Sequence, residues 1–130
     1  MKVLIIEDDD SIAEMYRLRL MADGYQVDIG HDGEKGLQLA LGAPDVIYLD
    51  VRLPGMDGFE VLGKLRSEPA TAAIPVIILS NCGDPALRQR GLTLGAQEVA
   101  TKADITPAEL SATVKRIIGR RGPLAKGLRQ

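Results

Sequence analysis

Three apolar runs, KVLII (2–6), DVIYL (45–49) and PVIIL (75–79), constrain this chain more than any other feature. Each is about one strand long, rich in β-branched residues, and apolar at nearly every position instead of every second one. A strand of that kind has to be covered on both faces, which is the condition of a parallel sheet flanked by helices. The segments between the runs supply the helices. Ile12, Met15, Tyr16 and Leu20 recur at helical spacing and end at Gly24. GEKGLQLALG (33–42) is a weaker helical stretch, broken by Gly36 and closed by Gly42-Ala43-Pro44. Val61, Leu62 and Leu65 mark a third helix, and Asp84-Pro85 opens a fourth with a capping acid and a proline at its first position. Thr106-Pro107-Ala108-Glu109 is a capping box heading a fifth, with Leu110, Val114, Ile117 and Ile118 on one face. YQVDI (25–29) alternates like a strand with one more polar face, and EVAT (98–101) is a short last strand.

Five strand–helix units in 130 residues make one α/β domain, a doubly wound five-stranded parallel sheet with the three most apolar strands central. The expected strand order, 2-1-3-4-5, is taken by analogy with known sheets of this kind. The domain is expected to span 1–119. The stretch KRIIGRRGPLAKGLRQ (115–130) has six basic residues and no acid. A basic helix end is favoured by the helix dipole, and residues 120–130 read as a basic flexible tail or the start of a linker. Lys and Arg number 16 against 18 Asp and Glu, so no net field draws the chain to nucleic acid, and direct nucleic-acid binding is not expected. No apolar run reaches the ~20 residues of a membrane span, and no leader pattern opens the chain, so the expected location is the cytoplasm. One cysteine leaves no internal disulfide or cysteine-rich zinc site.

Ligands of such sheets bind beyond the carboxyl ends of the strands. There the chain places Glu7-Asp8-Asp9-Asp10 after strand one, Asp50 at the end of strand three, Ser80-Asn81 after strand four and Thr101-Lys102 after strand five. Two carboxylates ~4 Å apart repel by about 4 kcal/mol at an effective dielectric near 20, so three gathered at one rim call for a cation. Oxygen ligands without His or Cys point to Mg2+, or Mn2+, and not to zinc. Carboxylate, hard cation, hydroxyl and ammonium together suit phosphoryl transfer with the aspartate as nucleophile. Asp9, Asp10 and Asp57 precede or open helices and read as caps, not metal ligands. His31, the single histidine, lies beyond strand two and reads as a surface residue.

VLIIEDDDSI, VIYLDVRLPGMDG, VIILSN and ATKADITPAEL, in order from residue 2 to about 119, resemble the four signatures of two-component response-regulator receiver domains, a flavodoxin-like (βα)5 family. The resemblance implies that Asp50 accepts the phosphoryl group. Asp8 resembles the direct metal ligand, Glu7 a ligand acting through water, and the backbone carbonyl of Arg52 a further ligand to Mg2+. Ser80 matches the hydroxyl that turns toward the phosphoryl group, and Lys102 the lysine that pairs with it. Arg52 and Cys82 stand at variable positions that tune phosphoryl lifetime. The implied donor is a histidine kinase or phosphotransfer protein. The implied output is a changed helix-4/strand-5/helix-5 surface, read by a downstream partner or by an output domain outside this chain. Such domains catalyse their own phosphorylation and dephosphorylation, but they are switches and not enzymes in the ordinary sense.

Three positions depart from the family pattern. Val99 stands where an aromatic switch residue is common, so the signal must cross that face by other means. Ala103 follows the lysine in place of proline, and a cis bond there costs ~2.5–4 kcal/mol, so a trans Lys102–Ala103 bond is expected unless neighbours hold it cis. Ser80 replaces the commoner threonine and keeps the hydroxyl. Other readings fit less well. An aspartyl phosphohydrolase would want an acid two residues after the nucleophile, where Arg52 stands. Flavin binding would want a hydroxyl- and glycine-rich loop in place of EDDDS. A receiver-like module that binds partners without phosphorylation has no use for an intact acid trio.

Overall fold

The structure, a computed structural model, describes residues 1–81 and 83–129, the side chains of Ala103 and of 120–129 excepted. Five strands alternate with five helices: β1 (Lys2–Ile6), α1 (Asp10–Ala22), β2 (Gln26–Gly30), α2 (Gly33–Ala40), β3 (Val46–Asp50), α3 (Gly58–Ser67), β4 (Val76–Ser80), α4 (Pro85–Thr93), β5 (Glu98–Thr101) and α5 (Pro107–Arg129), with a 3-10 turn at Lys102–Asp104. All neighbouring strands run parallel, in the expected order β2-β1-β3-β4-β5. The three continuous apolar runs form the three inner strands, and every residue of β3 and β4 is buried. The two outer strands, β2 and β5, are the half-exposed ones.

Because side chains alternate along a strand, each inner strand feeds two cores. Leu4, Ile6, Ile47, Leu49 and Ile78 pack with Phe59, Val61, Leu62 and Leu65 of α3, with Leu37 of α2 and Leu87 of α4 against them. Val3, Ile5, Val46, Tyr48, Ile77 and Leu79 pack on the other face with Ala13, Tyr16 and Leu20 of α1 and Leu110, Val114 and Ile117 of α5. Full burial of such a side chain is worth about 1.5–3 kcal/mol, so these two layers dominate stability. One detail of α1 differs from its sequence reading. Met15 is 45% exposed, and Ala13 takes the buried place between Ile12 and Tyr16.

Gly36, which looks like a helix breaker, sits inside α2 for a packing reason: a Cβ there would lie 2.6 Å from Cδ1 of Ile6. The helix can approach β1 that closely only without a side chain. Asp9, Asp57 and Asp84 are caps, as expected, Asp32 is a further one, and Asp10, read as a cap, is instead the first residue of α1. Asp9, Asp32, Asp57 and Asp84 accept from the backbone N–H groups of Ile12, Lys35, Glu60 and Ala86. Thr106 and Glu109 exchange the reciprocal bonds of a capping box. The fifth helix continues past Gly119, where the sequence places its end. The side chains from residue 120 onward, where a basic tail or linker is expected, lie outside the described residues.

At the amino ends of the strands, Arg66 works as a clamp. Its guanidinium donates to the carbonyls of Gly95 (2.8 Å), Ala72 (3.1 Å) and Ile74 (2.8 Å), tying α3 to the entries of β4 and β5. Burial pulls its pKa down. No helix among the described residues is long and apolar enough to cross a membrane.

Candidate functional site

The alternation that builds the cores also aims the site. On β1 the order Val3, Ile5, Glu7 keeps to one face, and on β3 the order Val46, Tyr48, Asp50 keeps to the same face. The strands pair Ile5 with Tyr48 and Ile6 with Leu49, so one more step sets Glu7 beside Asp50. Asp50 in turn pairs with Leu79, one residue before Ser80, and Ser80 pairs with Thr101, one residue before Lys102. Four strand ends therefore converge although their residues span positions 7 to 102.

Oxygen atoms of Glu7, Asp8 and Asp50 lie within 4.8 Å of one another. Glu7 is wholly buried, Asp50 is 2% exposed, and Asp8 faces solvent. Lys102 reaches across the group: its Nζ donates to Glu7 Oε1 at 2.6 Å and to Asp50 Oδ2 at 2.9 Å. The other Asp50 oxygen, Oδ1, accepts from the backbone N–H of Arg52 at 3.1 Å. The backbone of Arg52 is thus folded back over the acid, while its side chain is exposed. Gly58 closes the wall behind Asp50. A Cβ there would press on the Asp50 carbonyl and lie 2.7 Å from the Val51 Cα, so this loop needs a residue without one.

The electrostatics follow from crowding. Burial is the largest cause that lifts the Glu7 carboxyl above its usual range, the neighbouring Asp50 adds to it, and Lys102 opposes both. Asp8 is lifted as well, by partial desolvation and then by the Glu7 carboxyl beside it. Burial pulls the Lys102 ammonium down, but its bonds to Glu7 and Asp50 outweigh that and hold it above the ordinary lysine range. A cluster that holds its protons and its lysine this firmly is short of positive charge. Its exposed Asp8 edge and all-oxygen donor set suit a hard divalent cation such as Mg2+.

The structure thus brings Glu7, Asp8, Asp50 and Lys102 into one group and sets Ser80, 4% exposed, at the neighbouring strand end. Val99 stands half-buried on β5, its carbonyl accepting from Arg88 of α4 at 3.0 Å. No peptide bond is cis among the described residues, so Lys102–Ala103 is trans as expected. His31 is exposed, its Nδ1 3.1 Å from Asp10 Oδ1. Cys82 lies outside the described residues. One participant escaped the sequence reading: the hydroxyl of Tyr48 donates to Glu7 Oε1 at 3.0 Å from within the core. Its only signal was a polar atom in an otherwise aliphatic strand, two residues before Asp50.

Comparison with known proteins bears on this geometry. The family described as "Response regulator receiver domain" matches residues 3–115. The chain is 38% identical over 125 residues to "Phosphate regulon transcriptional regulatory protein PhoB" of Rhizobium meliloti (strain 1021), covering 94% of this chain and 54% of that protein. It spans about half the length of several such curated relatives. Among solved structures, it is similar to chemotaxis response regulator CheY4 of Vibrio cholerae (TM-score 0.82, 33% identity, covering 89% of this chain and 97% of that one). It is also similar to a putative response regulator from Chloroflexus aurantiacus (TM-score 0.84, 36% identity, covering 91% and 97%). The matched span runs through the acids, the hydroxyl and the lysine of the rim, and the chain belongs to the receiver-domain family of two-component response regulators.

Proposed function

We propose that this receiver domain is a switch set by phosphorylation of Asp50. The observation that carries the reading is the position of Asp50: a buried carboxylate with Lys102 Nζ at 2.9 Å, oxygens of Glu7 and Asp8 within 4.8 Å, and a hydroxyl at the next strand end. A carboxylate oxygen of Asp50 attacks the phosphorus of a phosphohistidine on a histidine kinase or phosphotransfer protein. The new O–P bond forms as the P–N bond breaks, and the departing imidazole takes a proton from solvent. Asp8, Asp50 and the backbone carbonyl of Arg52 would hold Mg2+, or Mn2+, with Glu7 acting through water. When bound, the cation neutralises charge on the transferring oxygens. Lys102 moves from the carboxylates to the phosphoryl oxygens, and Ser80 donates its hydroxyl to them. Arg52 and Cys82, two residues after Asp50 and after Ser80 in sequence, match the variable positions that tune phosphoryl lifetime.

The phosphoryl group is then a new set of strong acceptors at the rim, and the α4–β5–α5 surface changes in response. With Val99 in place of an aromatic ring, the response passes through the α4–β5 packing, where Arg88 holds the Val99 carbonyl. The reader of that surface is a downstream protein or an output domain of a longer chain.

The test is a titration of beryllofluoride and Mg2+ into the wild type and Asp50→Asn, followed by backbone NMR. Shifts at Asp50, Ser80 and Lys102 that vanish in the variant are expected, spreading to Val99 and α4. A wild type that binds Mg2+ but ignores beryllofluoride refutes the switch and leaves a module that binds partners without phosphorylation.

A further inference from the structure

Among the described residues Glu7, a fully buried carboxylate, has three donors, and they are unequal. Lys102 Nζ at 2.6 Å and the Tyr48 hydroxyl at 3.0 Å share Oε1, while Oε2 accepts the long bond from the Asp9 N–H at 3.3 Å among the described residues. Lys102 is on a flexible stem with 13% of its side chain exposed, and it is also bound to Asp50. Tyr48 cannot leave. It is fully buried in β3, with its ring 5.1 Å from that of Tyr16 and tilted by 51°.

This inference rests on the reading of Asp50 as phospho-acceptor. When Lys102 turns to the phosphoryl oxygens, Glu7 loses its shortest hydrogen bond at Oε1 while it stays shut off from bulk solvent. A buried carboxylate deprived of a donor is costly, and that cost falls on the activated state alone. We infer that Tyr48 is the positioning residue that makes the exchange affordable: its fixed hydroxyl keeps Glu7 satisfied and in place when Lys102 departs. Phenylalanine would fill the same core volume, so packing gives no reason for the hydroxyl. Glu7 is the acceptor the structure provides for it.

The experiment is beryllofluoride binding in saturating Mg2+, by NMR titration and by the rise in melting temperature that the ligand produces. It compares wild type, Tyr48→Phe and Tyr16→Phe. Tyr48→Phe is expected to bind about tenfold more weakly, the scale of one hydrogen bond to a charged group, with a smaller ligand-induced rise. Tyr16→Phe, which loses a hydroxyl with no bond to Glu7, is expected to match the wild type. A purely structural Tyr48 would lower the melting temperature equally with and without ligand and leave the affinity alone; that result overturns the inference but not the reading of Asp50. A wild type that does not bind overturns both. If Tyr48→Phe does not fold, wild type labelled at tyrosine 13Cζ decides. A beryllofluoride-dependent shift at Tyr48 with Tyr25 unmoved is expected, and a Tyr48 signal that stays still refutes the proposal.

Discussion

Lys102→Met isolates the charge balance of the rim. The substitution keeps most of the stem and removes the ammonium that lies 2.6 Å from Glu7 and 2.9 Å from Asp50. What remains is a pair of carboxylates whose oxygens lie within 4.8 Å. At that separation they repel by about 3 kcal/mol at an effective dielectric near 20. Stripping one partner from a buried ion pair costs about 3–5 kcal/mol, and the lower figure suits a site with one exposed edge. For a domain of this size that is a fall in melting temperature of roughly 10 °C at pH 7 in chelator. Two conditions should reverse it. Mg2+ at 100 times its dissociation constant adds about 2.7 kcal/mol and should recover most of the loss. Lower pH should do the same. The raised carboxyl of Glu7 contributes stability that is full below its unfolded pKa of 4.5 and is lost as pH rises through the higher folded value, and without Lys102 that loss is deeper. Differential scanning calorimetry at pH 7 and pH 4.5, with and without Mg2+, checks all three. A variant melting within 2 °C of the wild type (about half a kcal/mol) at pH 7 in chelator refutes the idea that Lys102 balances the acid group.

Two other outcomes test the scaffold. Gly58→Ala puts a methyl group against backbone that cannot yield, 2.7 Å from the Val51 Cα; it should cost about 1–3 kcal/mol in urea unfolding and weaken Mg2+ binding, and an unchanged Mg2+ affinity would separate that loop from the site. Asp23 is held below the usual carboxylate range, first by the Ser111 hydroxyl and then by Arg19. Its contribution is present above the unfolded pKa of 3.8 and is lost as pH falls through the folded value, so Ser111→Ala should move the acid-unfolding midpoint, followed by circular dichroism, to higher pH.

The inner strands were legible because a strand covered on both faces has no polar side to hide: KVLII, VIYL and VIIL can hardly be anything else. The rim was legible for a related reason. A carboxylate that ends such a run is carried to the strand's carboxyl end by topology alone, which fixed Asp50, Ser80 and Lys102 as neighbours before any coordinates. What stayed hidden depends on partners distant in sequence. The Tyr48–Glu7 bond needs the β1–β3 register, which nothing local to either segment encodes. Arg66 looks like any charge in the last turn of a helix until four carbonyls from two other segments close around it. Gly36 was misread for the same reason, since the side chain that requires a glycine there is Ile6, thirty residues earlier. Met15 and Ala13 exchanged roles on α1 because hydrophobicity, not size, set the periodicity, and a small residue fits closest to the sheet.

The long spacing of the site along the chain also has a consequence for synthesis. Glu7 and Asp8 emerge from the ribosome first, Asp50 follows, and the ammonium that balances them comes only with residue 102. A nascent chain exposing only its first four strand–helix units carries the acids without the ammonium that pairs with them. It cannot complete the charge balance of the rim until β5 docks. The rim is therefore balanced in a single late step, and a product ending before that lysine lacks the ammonium that pairs with both acids.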